Sequence, residues 1–161
     1  MFEHFDTPQE LFEYRIGSAL SMEDDSLQML GELEAAVRSP ELKQMFRHHA
    51  GETRQQIENL QTVCSELGLS ADLEPSQTTK GLAKEGTALL RKSSDALVDS
   101  VAIAAALGTE HYEIATYEAL IAAAEGMGQM TVVDLLRANL EQEKHTSEEL
   151  VAKARQFATT V

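Results

Sequence analysis

Seven residues of this chain have types and spacings that could act together in chemistry: Glu23, His49, Glu52, Glu110, Glu113, Tyr117 and Glu143. Each interrupts an apolar helical stripe. Glu23 stands between Leu20 and Leu27, His49 and Glu52 between Phe46 and Leu60, and Glu143 between Leu140 and Leu150. In "TEHYEIATYEALIAAAEG", residues 109–126, Glu110, Glu113 and Tyr117 fall at i, i+3 and i+7. They share one helix face with small apolar residues that have the character of a core.

Carboxylates at such positions need a reason. Burying one ionised carboxylate is costly, and several together also repel one another. Unpartnered, they stay protonated with raised pKa values. A pair of divalent or trivalent cations resolves the conflict, because carboxylate oxygens are hard ligands of matching charge. Oxygen-rich sites with one imidazole accept iron and manganese alike. In this reading Glu52 and Glu143 bridge two metals, Glu23 and Glu113 are terminal ligands, and His49 and Glu110 complete the shell. Tyr117, one turn from Glu113, is the candidate catalytic residue, able to give a proton or an electron to a small oxygen species. Taken singly, each residue has a plainer reading: a glutamate at the edge of a solvated face, a hydrogen-bonded core histidine, a packed tyrosine. His48 and His111 flank the stripes and fit the surface equally well.

The elements that must position these groups are legible from periodicity and caps. Thr7-Pro8-Gln9-Glu10 is a capping box with proline at the first helical position, and it opens a helix over residues 8–38. Ser39-Pro40 breaks that pattern and caps a second helix over 40–67, stopped by Gly68. A less periodic stretch holds a loop around Pro75 and a short helix over about 79–91. Two more long helices follow, over about 95–125 and 129–157, separated by Gly126-Met127-Gly128. The joins between the first two and the last two are so short that each pair must be an antiparallel hairpin. The middle connection is long enough to cross the end of the bundle. Glu23 and Glu52 are 29 residues apart and Glu113 and Glu143 are 30. With similar turns, the four acids fall at one level, an internal repeat centred on carboxylates. The coincidence of four such acids argues for a cluster more strongly than any one of them does.

The whole reads as a single all-α domain of 161 residues, a four-helix bundle of two hairpins with a long crossover. Ferritin-like di-iron and di-manganese proteins build their sites in this way, with one Glu from each of two helices and Glu plus His from the other two. The formal charge of −14 argues against nucleic acid or anionic lipid as partner, since both need a basic face. No apolar run approaches the roughly 20 residues of a membrane span. The start "MFEHFDTPQELFEY" has no basic region followed by an apolar one, and a lone Cys64 precludes an internal disulfide. Together these predict a cytoplasmic protein.

The stretches "HAGETRQQIENL", "EHYEIATYEALI" and "LEQEKHTSEEL", with "SPELKQMF" and Met22-Glu23, resemble the YciE/YciF family of bacterial ferritin-like stress proteins over about residues 8–157. The resemblance implies a ferritin-like bundle, commonly dimeric, with a di-metal site carried over to Glu23, His49, Glu52, Glu110, Glu113 and Glu143. The chain departs from the family pattern at Gln142 and Ser147, where acids are usual. The Glu-x-x-His motif of true ferritins is also missing, because Gln55 follows Glu52 and Thr146 follows Glu143 at i+3. One metal position is thereby poorer in ligands.

Three functions compete on this evidence. The first is a di-metal oxidoreductase acting on peroxide or oxygen. The second is a non-catalytic bundle, with any metal structural or vestigial, acting through association; the alanine-rich "VAIAAAL" and "LIAAAEG" faces would suit a homodimer contact. A DNA-protecting miniferritin fits poorly, because the chain lacks a basic tail.

Overall fold

The computed structural model describes residues 4–158. Five helices follow in order: α1 (Pro8–Ala36), α2 (Pro40–Leu67), α3 (Gln77–Lys92), α4 (Val98–Gly126) and α5 (Met130–Ala158). No strand occurs among the described residues.

Local signals account for most of the boundaries. The Thr7 hydroxyl accepts from the Glu10 amide at 3.2 Å, and the Glu10 carboxylate accepts from the Thr7 amide at 3.0 Å, so the capping box forms as read. Ser39 caps α2 through the Leu42 amide. Gly68 ends α2 at φ 67°, a conformation that a Cβ would disfavour.

Two of the ends that differ from the expectation do so for one shared reason. α1 stops at Ala36 instead of residue 38, because the amides of Arg38 and Ser39 are taken by the Asp99 carboxylate at 2.6 and 3.1 Å. α4 begins at Val98 instead of 95, because Asp95 does not cap it but pairs with Arg38 at 2.9 Å. The first turn of α4 is thus tied to the α1–α2 turn.

α1 packs against α2 and α4, and α5 packs against α4 and α2, which closes a four-helix bundle of two antiparallel hairpins; α3 lies along α1 and α4. The crossover does not cross the end of the bundle but runs along its length. α2 ends beside the start of α1, where Val63 and Cys64 pack with Phe12 and Ile16. α4 starts at the opposite end, where Asp99 binds the α1–α2 turn. Chain 68–97 must therefore travel the full bundle, and α3 is the helical part of that path. Gly17 lets it pass: a Cβ there would sit 2.8 Å from the Asp72 carbonyl oxygen, and the Gly17 carbonyl accepts from the Glu74 amide at 3.1 Å.

The apolar core is in two parts. One end packs Phe12, Ile16, Leu20, Leu60, Leu120 and Leu136; the other packs Leu30, Leu33, Leu42, Phe46, Ile103 and Leu150. Between them lies a polar layer.

Candidate metal centre

Helix geometry brings the layer together. α1 supplies Glu23, α2 His49, α4 both Glu110 and Glu113, and α5 Glu143; all five side chains are buried. One ligand atom each from His49, Glu110, Glu113 and Glu143 lies within 4.8 Å of the others. A cation with ligand bonds of about 2.0–2.6 Å separates opposite ligands by about 4–5 Å, so these four atoms are close enough to share an ion. The Nε2 of His49 stands 3.0 Å from Glu110 Oε1 and 3.8 Å from Glu143 Oε2. Glu23 closes the layer from α1, its Oε1 accepting a short hydrogen bond from the Tyr117 hydroxyl.

The donor atoms are conspicuously unpaired. Seven buried carboxylate oxygens, Glu23 Oε2 and both oxygens of Glu110, Glu113 and Glu143, have no hydrogen-bond partner. Nor does His49 Nε2, which is close to Glu110 without being aligned to donate to it. Buried polar atoms are nearly always satisfied, and a half-satisfied network is costly. Orphaned oxygens gathered around one imidazole have the chemistry of a hard-cation shell, so the residues present fit a metal.

The electrostatics follow from burial. Burial pushes Glu23 up to about 8, against the opposing pull of the Tyr117 hydrogen bond and the His49 charge. Burial also holds Glu113 well above the carboxylate range, reinforced by Glu143, Glu23 and Glu110. Glu143 is raised in the same way, by burial and then by Glu23 and Glu110. Burial pulls His49 down, but its contacts with Glu110 and Glu52 outweigh that and hold it well above the usual imidazole range. The Tyr117 phenol is raised by burial and by the Glu23 charge. The carboxyl shifts report charge that lacks solvent, and the His49 shift reports the acids gathered around it.

Glu52 does not join the layer. Its side chain is 19% exposed, and its carboxylate lies between the two histidines of its own helix, 3.4 Å from His49 Nδ1 and 3.7 Å from His48 Nε2. Three residues of helix rotate a side chain by about 60° away from its predecessor's face, so with His49 aimed inward Glu52 falls at the edge. α4 keeps both Glu110 and Glu113 buried, and the two hairpins are not equivalent at this level. The expected bridging pair of Glu52 and Glu143 is therefore replaced by a different arrangement, in which Glu52 supports His49. The His49 contact lowers the Glu52 pKa, which keeps it an acceptor for Nδ1. Thr146, at 3.2 Å, is the other neighbour of Nδ1.

Sequence reasoning missed Asn139, a fully buried amide on α5 that donates to the Tyr117 hydroxyl at 3.0 Å. The available signal was a polar residue at a stripe position, next to Leu140 and three after Leu136. Gln56, a polar residue on the same helix between Phe46 and Leu60, is buried one turn after Glu52.

A bundle of two antiparallel hairpins with a long crossover and an acid-and-imidazole layer at mid-height is a ferritin-like architecture. The chain belongs to the family described as a domain of unknown function (DUF892), whose model matches residues 7–160. It is 34% identical over 142 residues to Protein YciF of Escherichia coli strain K12, which covers 87% of this chain and 86% of that protein. The crystal structure of the E. coli stress protein YciF superimposes with a TM-score of 0.92 at 30% identity, covering 98% of this chain and all of that one (100%). YcfI from Rhodopseudomonas palustris superimposes at 0.90 with 28% identity, covering 93% of this chain and 96% of that one. A protein of Xanthomonas campestris shares the fold at 0.77 and 22% identity, covering 95% of this chain and 94% of that one.

Proposed function

We propose that this is a cytoplasmic stress-response protein whose polar layer holds a pair of iron or manganese ions and acts on peroxide or oxygen. One observation carries the reading: seven buried carboxylate oxygens and one imidazole nitrogen stand unpaired in a single layer of the core. Glu23, His49, Glu110, Glu113 and Glu143 would hold the ions. Carboxylate-held metals of this kind supply redox equivalents to small oxygen species. The chain's own contribution is to exclude water through the two flanking apolar clusters, to fix the imidazole through Glu52 and Thr146, and to keep a proton on the Tyr117 hydroxyl beside Glu23. The stress role rests on the likeness to YciF.

The test is metal analysis of protein purified without chelators, followed by oxygen and peroxide consumption with iron or manganese added back. Stoichiometric metal with turnover supports the reading. Failure of iron, manganese and zinc to bind above background defeats it.

A second reading is favoured by a different observation. α3 and α4 line an open apolar groove of about 440 Å³ with Leu82, Leu89, Leu97, Val101 and Ala105, and Leu89 and Leu97 are 46% and 41% exposed. On a chain of charge −14, association of two copies through such a face would make the protein a homodimer that works by contact, with metal as structural support. It predicts tight metal binding that is inert to oxygen and peroxide, and a sedimentation mass of two chains at micromolar concentration. The acidic surface supports neither nucleic acid nor membrane as partner.

A further inference from the structure

The Tyr117 phenol belongs to a chain of hydrogen bonds with one direction. Asn59 Nδ2 donates to Asn139 Oδ1 at 2.7 Å, Asn139 Nδ2 donates to the Tyr117 oxygen at 3.0 Å, and the Tyr117 hydroxyl donates to Glu23 Oε1. Asn139 cannot be turned round. Its Nδ2 also donates to the Gln56 carbonyl at 3.2 Å, and a carbonyl oxygen can only accept. A phenol has a single proton. With its oxygen already accepting from Asn139, that proton goes to Glu23.

The consequence concerns the carboxylate. Glu23 Oε1 is occupied by Tyr117, while Oε2 is buried and unpartnered. The geometry points to Asn139 as a positioning residue: it fixes the Tyr117 proton on Glu23 Oε1 and leaves Oε2 as the one oxygen through which Glu23 meets a metal. This rests on the metal reading above and goes beyond it in assigning Asn139 a role and Glu23 a one-oxygen mode. Partners one step removed from a ligand orient it and tune its basicity, and their loss typically costs about 10- to 100-fold in metal affinity. The three successive donors also polarise one another toward Glu23, which favours its ionised, ligating form.

The experiment is a titration of the intact chain with Mn²⁺, comparing wild type with Tyr117→Phe, Asn139→Leu and the double variant, each checked for helix content by circular dichroism. Tyr117→Phe keeps the ring and removes only the hydroxyl, and it should weaken Mn²⁺ binding by about 10- to 100-fold. Asn139→Leu should weaken Mn²⁺ binding in the wild-type background and add little in the Tyr117→Phe background, because Asn139 acts through the phenol; a role confined to packing weakens binding equally in both. Mn²⁺ should also produce a tyrosine difference absorption in the wild type that is absent in Tyr117→Phe, because a cation on Oε2 withdraws charge from the oxygen that holds the phenol. Equal Mn²⁺ affinity in wild type and Tyr117→Phe overturns the assignment, as does an Asn139→Leu effect of the same size in both backgrounds. A wild type that takes up no Mn²⁺ overturns the metal reading itself, a result distinct from these.

Discussion

His49 Nε2 stands 3.0 Å from Glu110 Oε1, yet the ring nitrogen is not aligned to hydrogen-bond to it. Two potential partners in a buried layer thus leave their mutual contact imperfect. The two groups face a common space, shared with Glu113 and Glu143, more than they face each other.

Metal removal should leave the protein folded. The two apolar clusters lie on either side of the layer and do not depend on it. Chelation should nevertheless lower the melting temperature near neutral pH, since an ion bound only by the native state stabilises it by about RT ln(1 + [L]/Kd). Differential scanning calorimetry with and without chelator checks this. Complete unfolding on chelation would mean that the layer, not the apolar ends, nucleates the bundle.

The metal-free protein should lose stability as pH rises. Glu23 goes from an ordinary value of 4.5 to about 8 on folding, and Glu113 and Glu143 are also raised, by burial and by the neighbouring acids. A raised carboxyl pKa means that the folded state binds more protons than the unfolded state, so stability is full below about pH 4.5 and falls as pH climbs through 8. His49, also raised, has the same sign. Urea midpoints of chelated protein from pH 5 to 8 should therefore decline. Midpoints that climb across that window would mean that these acids are solvated.

Glu113→Leu should trade metal for stability. Replacing a buried, unpaired carboxyl with an apolar side chain of similar size removes the cost of an unsatisfied buried polar group, about 1–3 kcal/mol. The variant should melt higher than the metal-free wild type yet retain less metal. Glu118→Ala is the control, because Glu118 is exposed and makes only a long contact with Lys144 at 3.6 Å. Metal content by emission spectroscopy, read beside thermal melts, separates the two effects.

Asp99→Ala should loosen the junction between the hairpins. It removes a carboxylate that accepts from the Arg38 and Ser39 amides at 2.6 and 3.1 Å. Hydrogen bonds to a charged group are worth about 1.5–3 kcal/mol each, less where solvent reaches them, so a net loss of about 1–3 kcal/mol is expected. The urea midpoint should fall with an unchanged slope.

Much of this protein was determined by its sequence alone. The caps at Thr7 and Ser39, the stop at Gly68 and the apolar stripes are local signals, and local signals place helices. The same periodicity showed which acids stand on core faces: Glu23, Glu110, Glu113 and Glu143 are all buried. What the tertiary structure decided was rotation and connection. Whether His49 or Glu52 faces the axis depends on how α2 is turned against α5, a matter of about 60° that a stripe wide enough to contain both residues cannot settle. The crossover's course depended on which end of the bundle α4 started from, set by the pairing of Asp99 with a turn some 60 residues away in the chain. Asn139 lay outside reach for the same reason: its partners Asn59, Gln56 and Tyr117 come from two other helices, and only packing brings them within hydrogen-bond distance.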